Sequence, residues 1–126
     1  MTAKEAAIFW REGANDALDS AQKLFDSKKC HHALFFCHLA AEKALKARYI
    51  EEKRELPPYT HDLVLIASKL DVTFNSDQRK ELAEINTFNI AARYQEDRLD
   101  LYQKATPAYA ADWIKRTNLI LQSLLP

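Results

Sequence analysis

The stretch Trp10-Arg11-Glu12-Gly13-Ala14-Asn15-Asp16-Ala17-Leu18-Asp19-Ser20-Ala21-Gln22-Lys23-Leu24-Phe25 decides the fold class. Trp10, Ala14, Ala17, Leu18, Ala21, Leu24 and Phe25 recur in steps of three and four, which puts them on one face of an α-helix. Gly13, within this stretch, is the one glycine of the 126-residue chain. Hairpins and sandwich loops need several residues that tolerate positive φ, so the glycine count argues against β structure. The first helix is expected from about Lys4 to Asp26.

Further along the chain the same periodicity returns. A second helix from about Lys29 to Lys53 carries Cys30, Ala33, Leu34, Cys37, Ala41, Ala44 and Leu45 on one stripe, and Pro57-Pro58 ends it. Asp62 or Thr60 caps a short third helix with Leu63, Val64, Ala67 and Leu70 inward. Ser76 can cap a fourth, on which Leu82, Ile85 and Phe88 or Asn89 keep the spacing. From Arg93 to Ala105 the pattern dissolves into a polar segment, read as a long connection and the first place to look for function. Thr106-Pro107 starts the last helix, whose inward stripe is Tyr109, Trp113, Ile114, Thr117, Leu121 and Leu124. The expected fold is all-α: a single domain over residues 1–126, built as an antiparallel, up-and-down bundle of four to five helices.

A hydrophobic fraction of 48% and a charged fraction of 29% suit a globular domain. Eighteen Lys plus Arg balance 18 Asp plus Glu, so no global field draws the chain to nucleic acid, and any anion site must be local. The N-terminus has no basic segment leading into an apolar run, and no stretch is long enough to span a bilayer, so a cytoplasmic, membrane-free protein is expected. Cys30 and Cys37 lie about 10 Å apart along one helix, beyond disulfide reach, and read as buried thiols.

His31, Phe35, His38, Glu42, Lys46 and Tyr49 share a strip of the second helix beside its apolar stripe. A partly polar helix–helix or dimer contact accounts for it, with Glu42 and Lys46 as a surface ion pair worth about 0.3–0.5 kcal/mol. His38 and Glu42 have the spacing of a helical metal pair, but no second helix offers matching His or Cys ligands. No metal and no cofactor is expected. There is no strand-to-helix nucleophile turn, and one glycine cannot build a phosphate loop. What is left is Thr60-His61-Asp62-Leu63 together with Ala92-Arg93-Tyr94, where a guanidinium next to an aromatic ring suits phosphate and base recognition.

These residues carry a resemblance. Cys37-His38-Leu39-Ala40-Ala41-Glu42-Lys43-Ala44-Leu45-Lys46-Ala47 resembles the alanine-rich signature helix of the HEPN family (higher eukaryotes and prokaryotes nucleotide-binding). His61-Asp62-Leu63 is similar to the family's motif after the second helix, and Ala92-Arg93-Tyr94 to the one after the fourth. The resemblance implies a helical bundle that forms homodimers, with a cleft at the subunit contact. It also implies a possible nucleotidyltransferase partner in a toxin–antitoxin or nucleotide-handling pair.

Other relatives are metal-independent ribonucleases that use an arginine and a histidine with four to six residues between them. Here Arg98, Leu99 and Asp100 follow Arg93 at those positions, and no histidine lies beyond His61. Arg54 and His61 have such a spacing but straddle Pro57-Pro58. Gln95 stands where relatives often have proline. The expected function is therefore a homodimeric module that binds a nucleotide or RNA phosphate through Lys46, His61, Arg93 and Tyr94, with Glu42 orienting the basic groups. The enzyme reading leans to no. Its alternative form is a divergent ribonuclease using Arg93 or Arg54 with His61, and a third reading is a purely structural protein–protein interaction domain.

Overall fold

The computed structural model describes residues 1–92 and 94–126. Among them are six α-helices: α1 (Ala3–Asp26), α2 (Cys30–Lys53), α3 (Leu63–Ser68), α4 (Ser76–Asn86), α5 (Gln95–Lys104) and α6 (Pro107–Leu124). A short 3-10 turn, Ile90–Ala92, precedes α5. The molecule is the all-helical bundle that the periodicity predicts.

The starts of α1, α3, α4 and α6 are set by side chains that take up the first free amides. Thr2 and Glu5 form a reciprocal capping box at α1, as Asn75 and Gln78 do at α4. Asp62 accepts from Val64 N and Leu65 N at α3, and Thr106 caps α6 ahead of Pro107. The cap of α4 is thus Asn75, not Ser76, which is the first helical residue.

α1 and α2 end where expected, at Asp26 and Lys53, and each stops through a residue in the left-handed region. Arg54 stops α2 in the left-handed region at φ 57°, three residues before Pro57 acts. Lys28 does the same after α1 at φ 65°. Around it, Lys29 N donates to Leu24 O at 2.8 Å and Lys28 N to Phe25 O at 2.9 Å, the paired bonds of a Schellman motif in a position that glycine normally fills.

The tight turn forces α1 and α2 antiparallel, and small residues let them approach closely. The buried residues of α1 are all alanines, Ala7, Ala14, Ala17 and Ala21, while α2 buries Ala33, Ala40, Ala41, Ala44 and Ala47. A Cβ on Gly13 would come within 3.1 Å of the Lys43 Cδ, so the glycine gives room for the neighbouring helix. Along α6, Trp113, Ile114, Thr117, Leu121 and Leu124 complete a core with α1 and α2. Leu63, Ile66, Leu82, Ile85 and Phe88 extend it beneath α3 and α4. Both cysteines are buried and free, and burial pushes the Cys37 thiol up to about 12.

The segment read as a long connection is in large part the helix α5. Its periodic signal is weak because Leu101 is its one buried residue, while Leu99 and Tyr102 are exposed and the other positions are polar. Placement of charge does what apolar patterning does not: Glu96 and Asp97 sit in its first turn and Lys104 in its last, matching the helix dipole. Lys104 also ties the helix down, with its Nζ 2.5 Å from Glu84 on α4. Tyr109 on α6 donates its hydroxyl hydrogen bond to the same carboxylate.

Candidate functional site

Halfway along α2, three polar side chains of the strip point into the protein. His38, Glu42 and Lys46 are 1%, 6% and 5% exposed. Glu42 and Lys46 are therefore a buried pair and not the surface pair that their spacing alone suggested. The Lys46 ammonium lies 3.1 Å from Glu42 Oε2 and 5.3 Å from the centre of the Trp10 ring on α1. An ion taken from water needs this kind of compensation, a carboxylate on one side and an aromatic face on the other.

The other oxygen of Glu42 serves the loop between α2 and α3. His61 Nδ1 lies 3.0 Å from Glu42 Oε1. A carboxylate accepts only, so Nδ1 carries the proton and Nε2 points away from this bond. The His61 side chain is 64% exposed, so its outer edge meets solvent.

His38 fixes the same residue through its backbone. Its Nε2 lies 3.0 Å from the His61 carbonyl oxygen, which can only accept, so Nε2 is the protonated nitrogen. Its Nδ1 stands 4.0 Å from Glu42 Oε1. The ring and the backbone of one exposed histidine are thus both anchored to buried groups one turn apart on α2.

Asp62 and Asn86 hold the neighbouring chain. Asn86 Nδ2 donates to Asp62 Oδ1 at 2.9 Å, and Leu63 N donates to Asn86 Oδ1 at 2.9 Å. The end of α4 is therefore fastened next to His61, and the chain runs on from there to Tyr94. Tyr94 is the N-cap of α5 and is 82% exposed. Arg93, its sequence partner in the expected site, lies outside the described residues.

The structure thus brings Glu42, Lys46 and His61 together, with Lys46 behind Glu42 and out of reach of solvent. Arg54 is set apart, about 18 Å beyond Glu42 along the axis of α2. It lines a groove with Lys4 and Arg11 at the start of α1. Sequence reading placed His38 on the right strip but assigned it no part in the site. The i, i+4 series His38, Glu42, Lys46 was the available signal. Nothing in the sequence announced Trp10 or Asn86 as second supports.

Among the described residues, no group of three or more His, Cys, Asp or Glu is arranged to hold a metal. No helix of the described residues is long and apolar enough to cross a membrane.

The HEPN domain family matches residues 7–125, nearly the whole chain. The chain belongs to the HEPN family. A comparison with curated protein sequences gives no match. Among solved structures, the HEPN chain is similar to the crystal structure of TT1696 from Thermus thermophilus, with a TM-score of 0.80 and 21% identity over 94% of each chain. At that identity the likeness establishes the shared bundle.

Proposed function

We propose that this HEPN domain is a homodimeric module that binds a nucleotide or an RNA phosphate, with His61 as the group that meets the ligand. The observation that carries this reading is the bond between His61 Nδ1 and Glu42. It fixes the ring and leaves Nε2 facing outward as the contact atom for the ligand. Lys46 acts behind it by holding Glu42 in place, and does not touch the ligand. Tyr94, exposed at the start of α5, supplies a face for a base, and Arg93 supplies the guanidinium. The resemblance adds a nucleotidyltransferase as the partner protein, in a toxin–antitoxin-like pair. Co-expression of the two chains followed by co-purification tests that pairing.

The same bond favours a second reading. A carboxylate that orients an exposed histidine is also the arrangement of a general base, and a ribonuclease would use it to move a proton. Incubation of single-stranded and structured RNA with the wild type and His61→Ala separates the two. The binding reading expects no cleavage by either protein. Robust cleavage lost in His61→Ala would establish the ribonuclease instead.

A further inference from the structure

The turn between α1 and α2 and the end of α5 enclose a groove of about 820 Å3 that the His61 cluster does not use. That size falls in the range of small-ligand pockets, roughly 300–1,000 Å3. Lys28, Lys29, His31, His32 and Tyr102 are among its lining residues. The three rings lie against one another at a tilt, with the His31 centroid 4.1 Å from His32 at 38° and 4.5 Å from Tyr102 at 45°. Burial, and then the charge of His32, hold His31 below the ordinary histidine value, which favours a neutral middle ring at pH 7. The outer two rings are open to solvent: His32 is exposed and Tyr102 is 61% exposed. Asp26 also lines the groove, but its carboxylate accepts a bond from Gln22 Nε2 at 3.0 Å, one turn back along α1.

Lys28, at the tip of the turn, is one of the lining cations. It occupies the left-handed position of the Schellman turn, where glycine would sit without strain.

We propose that this groove is a nucleotide-binding subsite, in which a base stacks on the outer face of Tyr102 or His32 and its phosphate is held by Lys28 and Lys29. Aromatic faces beside cations recognise single-stranded nucleic acid in this way, without regard to sequence. A free nucleotide and one unit of an RNA strand present the same chemistry, a base with its phosphate. The subsite is separate from the site at His61, since His31 lies about 10 Å from His38 along the axis of α2.

The chain has four histidines, so ring resonances report on both sites in one titration. The full chain, with labelled histidine and tyrosine rings, is titrated with AMP, with a short single-stranded oligouridylate, and with inorganic phosphate. The expected result is a saturable shift of the His32 and Tyr102 signals with AMP, with the oligouridylate, or with both, and a much smaller one with phosphate. A response to AMP assigns the groove to free nucleotides, and a response to the oligomer alone assigns it to RNA. Tyr102→Leu should weaken binding in the groove by about fivefold or more, and Lys28→Gly by about two- to fivefold. Lys28→Gly relaxes the turn, so a loss of binding there cannot be a loss of folding. Groove signals that stay in place with both AMP and RNA, or that move equally with phosphate alone, overturn the proposal. The His61 signal reads the other site separately, whichever way the groove responds.

Discussion

Glu42 and His61 lie 19 residues apart in the chain, yet the carboxylate of one holds the ring of the other at 3.0 Å. The carboxylate is buried and the ring is largely exposed, so the bond joins the interior of the bundle to its surface. Lys46 completes the arrangement from behind at 3.1 Å.

Breaking this arrangement from one side should be costly. Glu42→Ala strands the Lys46 ammonium among apolar neighbours, which costs about 3–5 kcal/mol when one partner of a buried pair is removed. Replacing both ions, as Glu42→Leu with Lys46→Met, should restore most of that stability. Urea unfolding of the single and double variants checks the pair. A single variant as stable as the wild type would show that the two charges are not coupled.

The turn after α1 gives the opposite sign. A non-glycine residue in the left-handed region costs roughly 1–2 kcal/mol, part of which is offset by the freedom that glycine adds to the unfolded chain. Lys28→Gly should therefore stabilise the protein by about 0.5–1 kcal/mol, read as a higher thermal midpoint.

Acid sensitivity should centre on Glu84. Burial raises its pKa, but the hydrogen bonds from Lys104 and Tyr109 and the Lys104 charge outweigh that, and the net value is lowered from 4.5. A lowered carboxylate contributes stability that is present above its unfolded value and lost as pH falls through the folded one. Stability should thus decline below about pH 4.5, and Glu84→Gln should flatten that decline. Tyr109 has the opposite behaviour, since burial and Glu84 raise its pKa above 10.0. Its contribution is present below pH 10.0 and is lost as the solution becomes more alkaline. Denaturant unfolding across about pH 3–6 and about pH 9–11 follows both.

Dimerisation should be visible at micromolar concentration. Ile8 and Phe9 expose 46% and 61% of their surface on α1, an apolar area that a second copy can cover. Sedimentation should show a dimer, and Phe9→Glu should shift it to monomer. A wild-type chain that remains monomeric would remove the homodimer from the proposed function.

Much of this fold was legible because its long helices bury periodic faces. The stripes of α1, α2 and α6 each repeat every three to four residues, and Thr106-Pro107 marks the start of α6. α5 was not legible, because a helix that buries only Leu101 has no stripe to read. The site was legible in part. His61, Glu42 and Lys46 were singled out by residue type and by family resemblance, but spacing alone cannot tell a solvated ion pair from a buried one. That depended on Trp10, whose ring reaches Lys46 from another helix. The ring contact of His31 with Tyr102 joins residues 71 positions apart, and local pattern holds no record of such a contact.

The most direct test of the central claim is a calorimetric titration of a short single-stranded RNA and a panel of nucleotides into the wild type, His61→Ala and Arg93→Ala. Each substitution should weaken binding at this site by about 1.5–3 kcal/mol, the range for a charge-assisted hydrogen bond. Affinities equal to wild type in both variants would contradict the account and move the ligand away from the histidine that Glu42 holds.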